Sequence, residues 1–167
     1  MVETGYRQLI VMRHAKTEHG ATTDRARVLT SRGRGDALAA GRWLHDNRLS
    51  PEVVLASPAA RALGTADLVC AELATRPDVR AVEDLYAASA AETLEIVTTT
   101  DGGVRVVLVV GHNPTMGELA HSLQQDPADP WAPHLPTAGL VVLEVPGEWA
   151  DLSMGQAELT HWHVPRG

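Results

Sequence analysis

The chain has 167 residues, of which 44% are hydrophobic and 21% are charged, so it can form one globular domain with a substantial core. Its net charge of −7 argues against a broad nucleic-acid surface, which needs a basic patch. No apolar run is long enough to span a membrane, and the N-terminus lacks the pattern of a secretory signal. With Cys70 as the single cysteine, no intrachain disulfide can form, and we expect one cytoplasmic domain over residues 1–167.

The first third of the chain predicts a strand, a loop and a helix. Residues 6–12 are nearly continuously apolar, as expected for a strand that is buried on both faces. The polar residues 15–29 predict a long loop. Thr30 or Ser31 can cap a helix that runs to about Asn47 with one apolar face.

The middle of the chain repeats this alternation. A strand is predicted over Val53–Ala56, and Pro58 suits the first turn of a helix that runs to about Ala74. A short strand follows near Val79–Val82. The next helix is predicted over residues 90–99, with Ser89 as its cap and Glu92 completing a capping box.

The last third predicts three strands and one helix. Residues 104–110 form an apolar strand, after which Asn113 is expected to cap a helix from Pro114 to about Leu123. The four prolines of residues 125–136 predict a loop. Strands are then expected over residues 139–145 and, at a sheet edge, over residues 158–164. Alternating strands and helices predict a layered α/β domain.

Basic residues follow three of the predicted strands at the point where each strand ends. The first strand ends in Arg13-His14, the second is followed by Ser57-Pro58-Ala59-Ala60-Arg61, and a third by Gly111-His112-Asn113-Pro114. Carboxyl ends of parallel strands meet at one edge of a sheet, where ligands bind. Two arginines and two histidines gathered there predict an anion site with a candidate nucleophile.

Four motifs in chain order resemble those of the histidine phosphatase superfamily, also called the phosphoglycerate mutase-like family. The chain is most similar to its short SixA-type phosphohistidine phosphatase branch. The resemblance implies a three-layer α/β/α domain with a mostly parallel central sheet. The four motifs in this chain are Arg13-His14-Ala15-Lys16, Leu29-Thr30-Ser31-Arg32-Gly33, Ser57-Pro58-x-x-Arg61-Ala62-x-x-Thr65-Ala66 and Gly111-His112-Asn113-Pro114. In the first motif, Ala15 stands where the wider family usually has Gly.

The resemblance implies that His14 is the nucleophile and that Arg13, Arg61 and His112 bind the phosphoryl group with it, His112 also being catalytic. The residue types suit these roles. A neutral imidazole can attack phosphorus and hold the phosphoryl group, and guanidinium forks match phosphate oxygens. Because arginine and histidine neutralise the phosphate charge, we expect neither a metal nor another cofactor.

The general acid is less clearly marked in the sequence. Some family members carry an Asp after the second histidine, but Asn113 occupies that position here and cannot donate the proton. Glu83 is the nearest match to a glutamate that other members carry, with Asp84 and Glu92 as further candidates. The alternative for Glu83 is a carboxylate at a strand end without a catalytic role.

His161 and His163 suggest a separate hypothesis. Residues two apart in a strand share a face, so both imidazoles are placed to bind one metal. A third ligand would have to come from elsewhere, such as His134 or His121. Two-ligand sites are weak and solvated edge histidines are commoner, so the sequence predicts no metal site.

The leading hypothesis is a metal-independent phosphatase that forms a phosphohistidine intermediate and acts on phosphohistidine of a partner protein. A phosphatase of small phosphorylated metabolites is the enzymatic alternative. A non-catalytic module that binds phosphate or a phosphoprotein is the alternative of another class. We expect neither a nucleic-acid nor a membrane partner, and the sequence leaves the oligomeric state open.

Overall fold

Six strands and four α-helices alternate along residues 6–131 and 134–167, the parts of the chain that the computed structural model describes. None of the helices in these parts is long and apolar enough to cross a membrane. The strands are β1 (Arg7–Arg13), β2 (Val53–Ala56), β3 (Asp78–Ala81), β4 (Val106–Gly111), β5 (Leu140–Val145) and β6 (Glu158–His163). The helices are α1 (Ser31–Asp46), α2 (Ala60–Ala71), α3 (Ala90–Thr98) and α4 (Thr115–Leu123), and short 3₁₀ helices cover Glu83–Leu85 and Trp149–Asp151.

The strands form one sheet in the order β3-β2-β4-β1-β5-β6. Strands β3, β2, β4 and β1 are parallel neighbours, whereas β5 is antiparallel to both β1 and β6. This arrangement confirms the predicted mostly parallel sheet and places β6 at an edge. It also brings the carboxyl ends of β1, β2 and β4 to one side of the sheet.

Helices cover both faces of the sheet because successive strand residues point to opposite sides. On one face, Ile10 and Val110 belong to the hydrophobic core that includes Ala40 and Leu44 of α1 and Val69 of α2. On the other face, a second core joins residues from the alternate strand positions to α3 and α4, and its members include Leu9, Val11, Val107, Val109, Val97 and Leu119. These two cores confirm the predicted three-layer α/β/α fold.

Two predicted helix starts are confirmed by their caps. The Thr30 side chain accepts a hydrogen bond from the Gly33 amide at 2.9 Å, so α1 begins at Ser31. The side chain of Ser89 accepts from the Glu92 amide at 3.1 Å, and the Glu92 carboxylate accepts from the Ser89 amide at 3.3 Å. This reciprocal pair is the capping box that the sequence predicts at the start of α3.

Two other predicted helix starts are wrong. Helix α2 begins at Ala60, so Pro58 lies before its first turn, where the Ser57 hydroxyl accepts from the Ala59 amide at 3.3 Å. Helix α4 begins at Thr115 with Pro114 as its cap residue, after a cis Asn113–Pro114 peptide bond. Asn113 does not cap α4, because its side-chain amide donates to the Leu135 carbonyl at 2.7 Å instead.

The remaining boundaries differ from the predictions by a few residues. Strand β4 begins at Val106 instead of Val104, because the Val104 amide still bonds to the Asp101 carbonyl in the preceding turn, at 3.0 Å. The two short 3₁₀ helices were not predicted. The predicted loop 125–136 includes residues 132 and 133, which lie outside the described residues, and the rest of it contains no helix or strand.

Candidate active site

Four basic side chains, Arg13, His14, Arg61 and His112, meet at the carboxyl ends of β1, β2 and β4, and together we call them the basic pocket. The rings of His14 and His112 lie 5.3 Å apart between centroids. The positive charges of Arg13 and Arg61 contribute to lowering the pKa of both imidazoles. The structure thus brings together the four residues that the sequence predicts to bind phosphate.

His14 has the hydrogen bonding of a neutral nucleophile. Its Nδ1 lies 2.8 Å from the carbonyl oxygen of Ala15, which can only accept, so Nδ1 carries the proton and Nε2 keeps a lone pair. Burial is the largest cause that lowers the pKa of His14, to about 4, and the nearby charges of His112, Arg61 and Arg13 lower it further. His14 is therefore unprotonated at neutral pH.

The segment that follows His14 is fixed to helix α2. The amide of Ala15 donates to the Thr65 hydroxyl at 3.0 Å, and that hydroxyl donates to the Arg61 carbonyl at 2.7 Å. Thr65 is fully buried. These two bonds couple the backbone beside His14 to the helix that carries Arg61.

His112 is oriented by a side chain. Its Nε2 lies 2.7 Å from the Ser57 hydroxyl, and Ser57 is fully buried. The Nδ1 atom of His112 is buried and has no hydrogen-bond partner within the described residues. Burial first, and then the charge of Arg61, lower the pKa of His112 to about 4. His112 is thus also neutral at neutral pH.

The two arginines of the basic pocket are held from different directions. Arg13 is half-buried and donates to the Leu135 carbonyl at 3.1 Å, the same oxygen that accepts from Asn113. Burial lowers the pKa of Arg13. Arg61 is buried and donates to the main-chain oxygen of Asp24 at 2.7 Å and to its carboxylate at 2.9 Å. Each guanidinium is therefore ordered by an acceptor on a loop.

The carboxylates proposed as general acids lie on an exposed groove beside the basic pocket. We call Glu83, Asp84, Glu92 and Glu95 the acidic rim, and they line this groove together with Tyr86. Both oxygens of the Glu83 carboxylate accept from the Arg25 guanidinium, at 2.7 and 2.8 Å. This ion pair lowers the pKa of Glu83, whereas a general acid at neutral pH needs a raised one. The role of Glu83 stays a prediction.

His161 and His163 contact an aromatic side chain. The ring of His163 stacks on Trp43 of α1 at 4.8 Å between centroids, and the ring of His161 meets Trp43 edge-on at 5.9 Å. In the parts of the chain that the structure describes, no three His, Cys, Asp or Glu residues are grouped to hold a metal. The Nδ1 atom of His161 also lies 3.0 Å from the Thr160 hydroxyl.

Sequence reasoning missed Asp24 and Tyr86, and gave Ser57 and Thr65 no role. Ser57 and Thr65 lie inside a recognised motif, so their position was a usable signal. Asp24 lies in a loop with no local pattern, and it reaches Arg61 across 37 positions of sequence. Only the folded chain brings Asp24, Arg61 and Tyr86 together.

Comparison with known proteins finds one family throughout. The model of the histidine phosphatase superfamily (branch 1) matches residues 9–86. Phosphohistidine phosphatase SixA of Escherichia coli is 31% identical over 122 residues, which cover 70% of this chain and 73% of SixA. An uncharacterized protein of Mycobacterium tuberculosis strain H37Rv is 36% identical over 162 residues, covering 93% of this chain and all of that protein.

A solved structure gives the same result. The structure assigned to phosphohistidine phosphatase SixA of Nakamurella multipartitia superposes with a TM-score of 0.85 at 32% identity. The superposition covers 96% of this chain and 97% of that one. The similarity therefore extends well beyond the residues that the family model matches.

Proposed function

Because the chain belongs to the histidine phosphatase superfamily and to its SixA-type branch, and is a phosphatase, we propose that it hydrolyses phosphohistidine on a partner protein through a phosphorylated His14. The observation that carries this proposal is the state of His14. Its Nδ1 donates to the Ala15 carbonyl, its pKa is about 4, and the positive charges of Arg13 and Arg61 act on its ring. Together these features provide a neutral nucleophile in a site that suits the doubly negative phosphoryl group of the substrate.

In the first step, the lone pair on Nε2 of His14 attacks phosphorus, and the bond from phosphorus to the leaving imidazole nitrogen breaks. Arg13 and Arg61 hold the phosphoryl oxygens while charge spreads over them. If the Ser57 hydroxyl donates to Nε2 of His112, the proton of His112 is on Nδ1, the buried atom without a protein partner. His112 then donates a hydrogen bond to the phosphoryl group.

In the second step, water attacks the phosphorus of phosphorylated His14, and inorganic phosphate leaves. Nε2 recovers its lone pair, and the proton of the attacking water passes to solvent or to the released phosphate. The guanidinium groups of Arg13 and Arg61 balance the phosphate charge in both steps, and neutral His112 adds a hydrogen bond, so the proposal includes no metal or cofactor.

A protein substrate is supported by the form of the entrance. The residues between Arg61 and His112 form the rest of α2, β3, a 3₁₀ helix, α3 and β4, all of which belong to the sheet and its layers. They build no separate cap over the basic pocket. An open site admits a side chain carried by another protein, and an imidazole leaving group can be protonated in solution before attack. A cytoplasmic location stays a prediction.

The test compares kcat/KM for a phosphohistidine peptide, p-nitrophenyl phosphate and sugar phosphates in the presence of EDTA. We expect the phosphohistidine peptide to be the best substrate and EDTA to have no effect. Faster turnover of a sugar phosphate would support a metabolite phosphatase. Binding of the peptide without turnover would support a non-catalytic module. Loss of activity in EDTA, restored by zinc, would contradict the metal-independent mechanism.

The intermediate can be trapped directly. Wild-type protein quenched under burst conditions should carry an acid-labile, base-stable phosphoryl group. His14→Asn should carry none, whereas His45→Asn, which changes an exposed histidine near the end of α1, should trap as much as wild type. Absence of the intermediate in wild type would indicate direct attack by water.

A further inference from the structure

Asp24, in the loop before α1, contacts the guanidinium that binds phosphate in the proposed function. Nη1 of Arg61 donates to the main-chain oxygen of Asp24 at 2.7 Å, and Nη2 donates to its Oδ2 at 2.9 Å. The same Oδ2 accepts from the Tyr86 hydroxyl at 2.5 Å. We propose that Asp24 is a positioning residue, which holds Arg61 in the orientation that binds the transferring phosphoryl group. This inference rests on the proposed function.

The geometry allows Asp24 to hold Arg61 without occupying all of the N–H groups that can bind the substrate. A guanidinium has five N–H groups in a planar fork, and Asp24 uses two of them. The other three remain available to phosphoryl oxygens. Arg61 has a long side chain that would otherwise lose its conformational freedom on binding the substrate, and ordering it beforehand removes this cost.

The loop around Asp24 is itself anchored, so the acceptor is fixed. The main-chain oxygen of Arg25 accepts from the Ala60 amide at the start of α2, at 2.9 Å. The Arg25 guanidinium pairs with Glu83 and lies 4.9 Å from the centre of the Tyr86 ring. An isolated exposed ion pair contributes little because both partners are mobile. Here the side chain of Asp24 is half exposed, but Arg61 is buried and the loop is tied to two other elements.

The charge of Asp24 also reaches the second catalytic histidine. The hydrogen bonds from Tyr86 and then from Arg61 lower the pKa of Asp24 to about 2, so the carboxylate is ionised at neutral pH. This negative charge raises the pKa of His112, against the larger effects of burial and Arg61. Removing the charge should therefore lower the pKa of His112, which a role in folding alone would not do.

A double-mutant cycle tests the link to Arg61, with orthovanadate as a probe of the phosphoryl site. We expect Asp24→Ala to weaken vanadate binding and to lower kcat/KM by about 10- to 100-fold, mainly through kcat. Asp24→Asn keeps an oxygen acceptor and should lose less. In an Arg61→Ala background, Asp24→Ala should cost less than about twofold, because the group through which Asp24 acts is gone. Losses that multiply would overturn the proposal.

Two further measurements separate positioning from folding. In an NMR titration, Asp24→Asn should lower the pKa of His112 relative to wild type, and an unchanged pKa would contradict the placement of the carboxylate. Asp78→Asn is the matched control, since Asp78 also pairs with an arginine, Arg80, at 2.7 Å, but at the amino end of β3. It should leave vanadate affinity unchanged. An equal loss there would indicate a general effect of ion pairs.

The same design keeps the two proposals distinguishable. If wild-type protein does not turn over phosphohistidine peptide, the proposed function fails, but the vanadate cycle still reports whether Asp24 acts through Arg61. If turnover is normal and Asp24→Ala binds vanadate as wild type does, the positioning role fails and the proposed function stands.

Discussion

The basic pocket and the acidic rim are neighbours, but the pKa values of their side chains are shifted by different causes. In the basic pocket, burial is the main cause that lowers the pKa of His14 and His112, to about 4 each. On the acidic rim, Glu83 is exposed, and its pKa is lowered by the hydrogen bonds from Arg25. The site therefore combines an imidazole, His14, that is unprotonated at neutral pH with a carboxylate, Glu83, whose pKa is shifted away from that of a general acid.

This difference bears on the leaving group. An alkoxide needs a proton from the enzyme as it departs, whereas an imidazole can be protonated before attack. A site with an unprotonated imidazole and an ionised Glu83 suits the second kind of leaving group. The contrast between the two regions thus supports phosphohistidine over an alkyl phosphate monoester, and each region can be altered separately.

Removing the nucleophile should have the largest effect. We expect His14→Ala to lower kcat by roughly 10⁴-fold or more while the fold persists, because no other group in the basic pocket replaces its lone pair. The measurements are steady-state kinetics and thermal unfolding of the purified variant. Retention of a sizeable fraction of wild-type kcat would exclude His14 as the nucleophile.

Replacing the guanidinium group of Arg61 should have the next largest effect. Arg61→Lys keeps the charge but loses the planar pair of donors, and we expect kcat/KM to fall by about 10²- to 10³-fold. Lysine also lacks the two coplanar Nη donors that bond to Asp24. Near-native kcat/KM in this variant would show that Arg61 does not grip the phosphoryl group.

The response to pH tests the burial of the basic pocket. His14 and His112 should titrate near pH 4 in an NMR titration of the free protein, well below the usual value of about 6.5. Since a protonated His14 has no lone pair, kcat/KM should fall as the pH drops through that value and should not fall between neutral pH and about 5. A titration midpoint near 6.5 would show that burial does not lower the pKa of these two imidazoles.

The acidic rim should show the smallest effect on phosphohistidine. Because Arg25 keeps Glu83 ionised, we expect Glu83→Gln to lower kcat/KM by less than about tenfold on a phosphohistidine peptide, p-nitrophenyl phosphate and an alkyl phosphate, a loss smaller than that of a typical general acid. Glu95→Gln is the control on the same rim. A steep loss confined to the alkyl phosphate would instead support Glu83 as the acid that the sequence predicts.

The basic pocket was predictable because its signals are local. Arg13 ends an apolar strand and the other three members follow one, and the parallel pairing of β1, β2 and β4 brings those ends together. The contacts that the surrounding loops make were not predictable, because they join distant positions. Arg25 pairs with Glu83 across 58 positions, and Asn113, which local pattern makes a helix cap, bonds to Leu135 across 22 positions.

The acceptors that order the pocket differ in how they respond to genetic change. His14, Arg13 and Arg61 each donate to a main-chain oxygen, those of Ala15, Leu135 and Asp24. A missense substitution at these acceptor positions leaves the peptide oxygen in the chain, so most codon changes there preserve the bond. An insertion or deletion in the same loops would displace it. His112 depends on the Ser57 hydroxyl, which one codon change can remove. Among sequences that diverge from this one, the site should therefore constrain loop length before Leu135 and the identity of residue 57, whereas packing in the cores should constrain the buried side chains at 15 and 135.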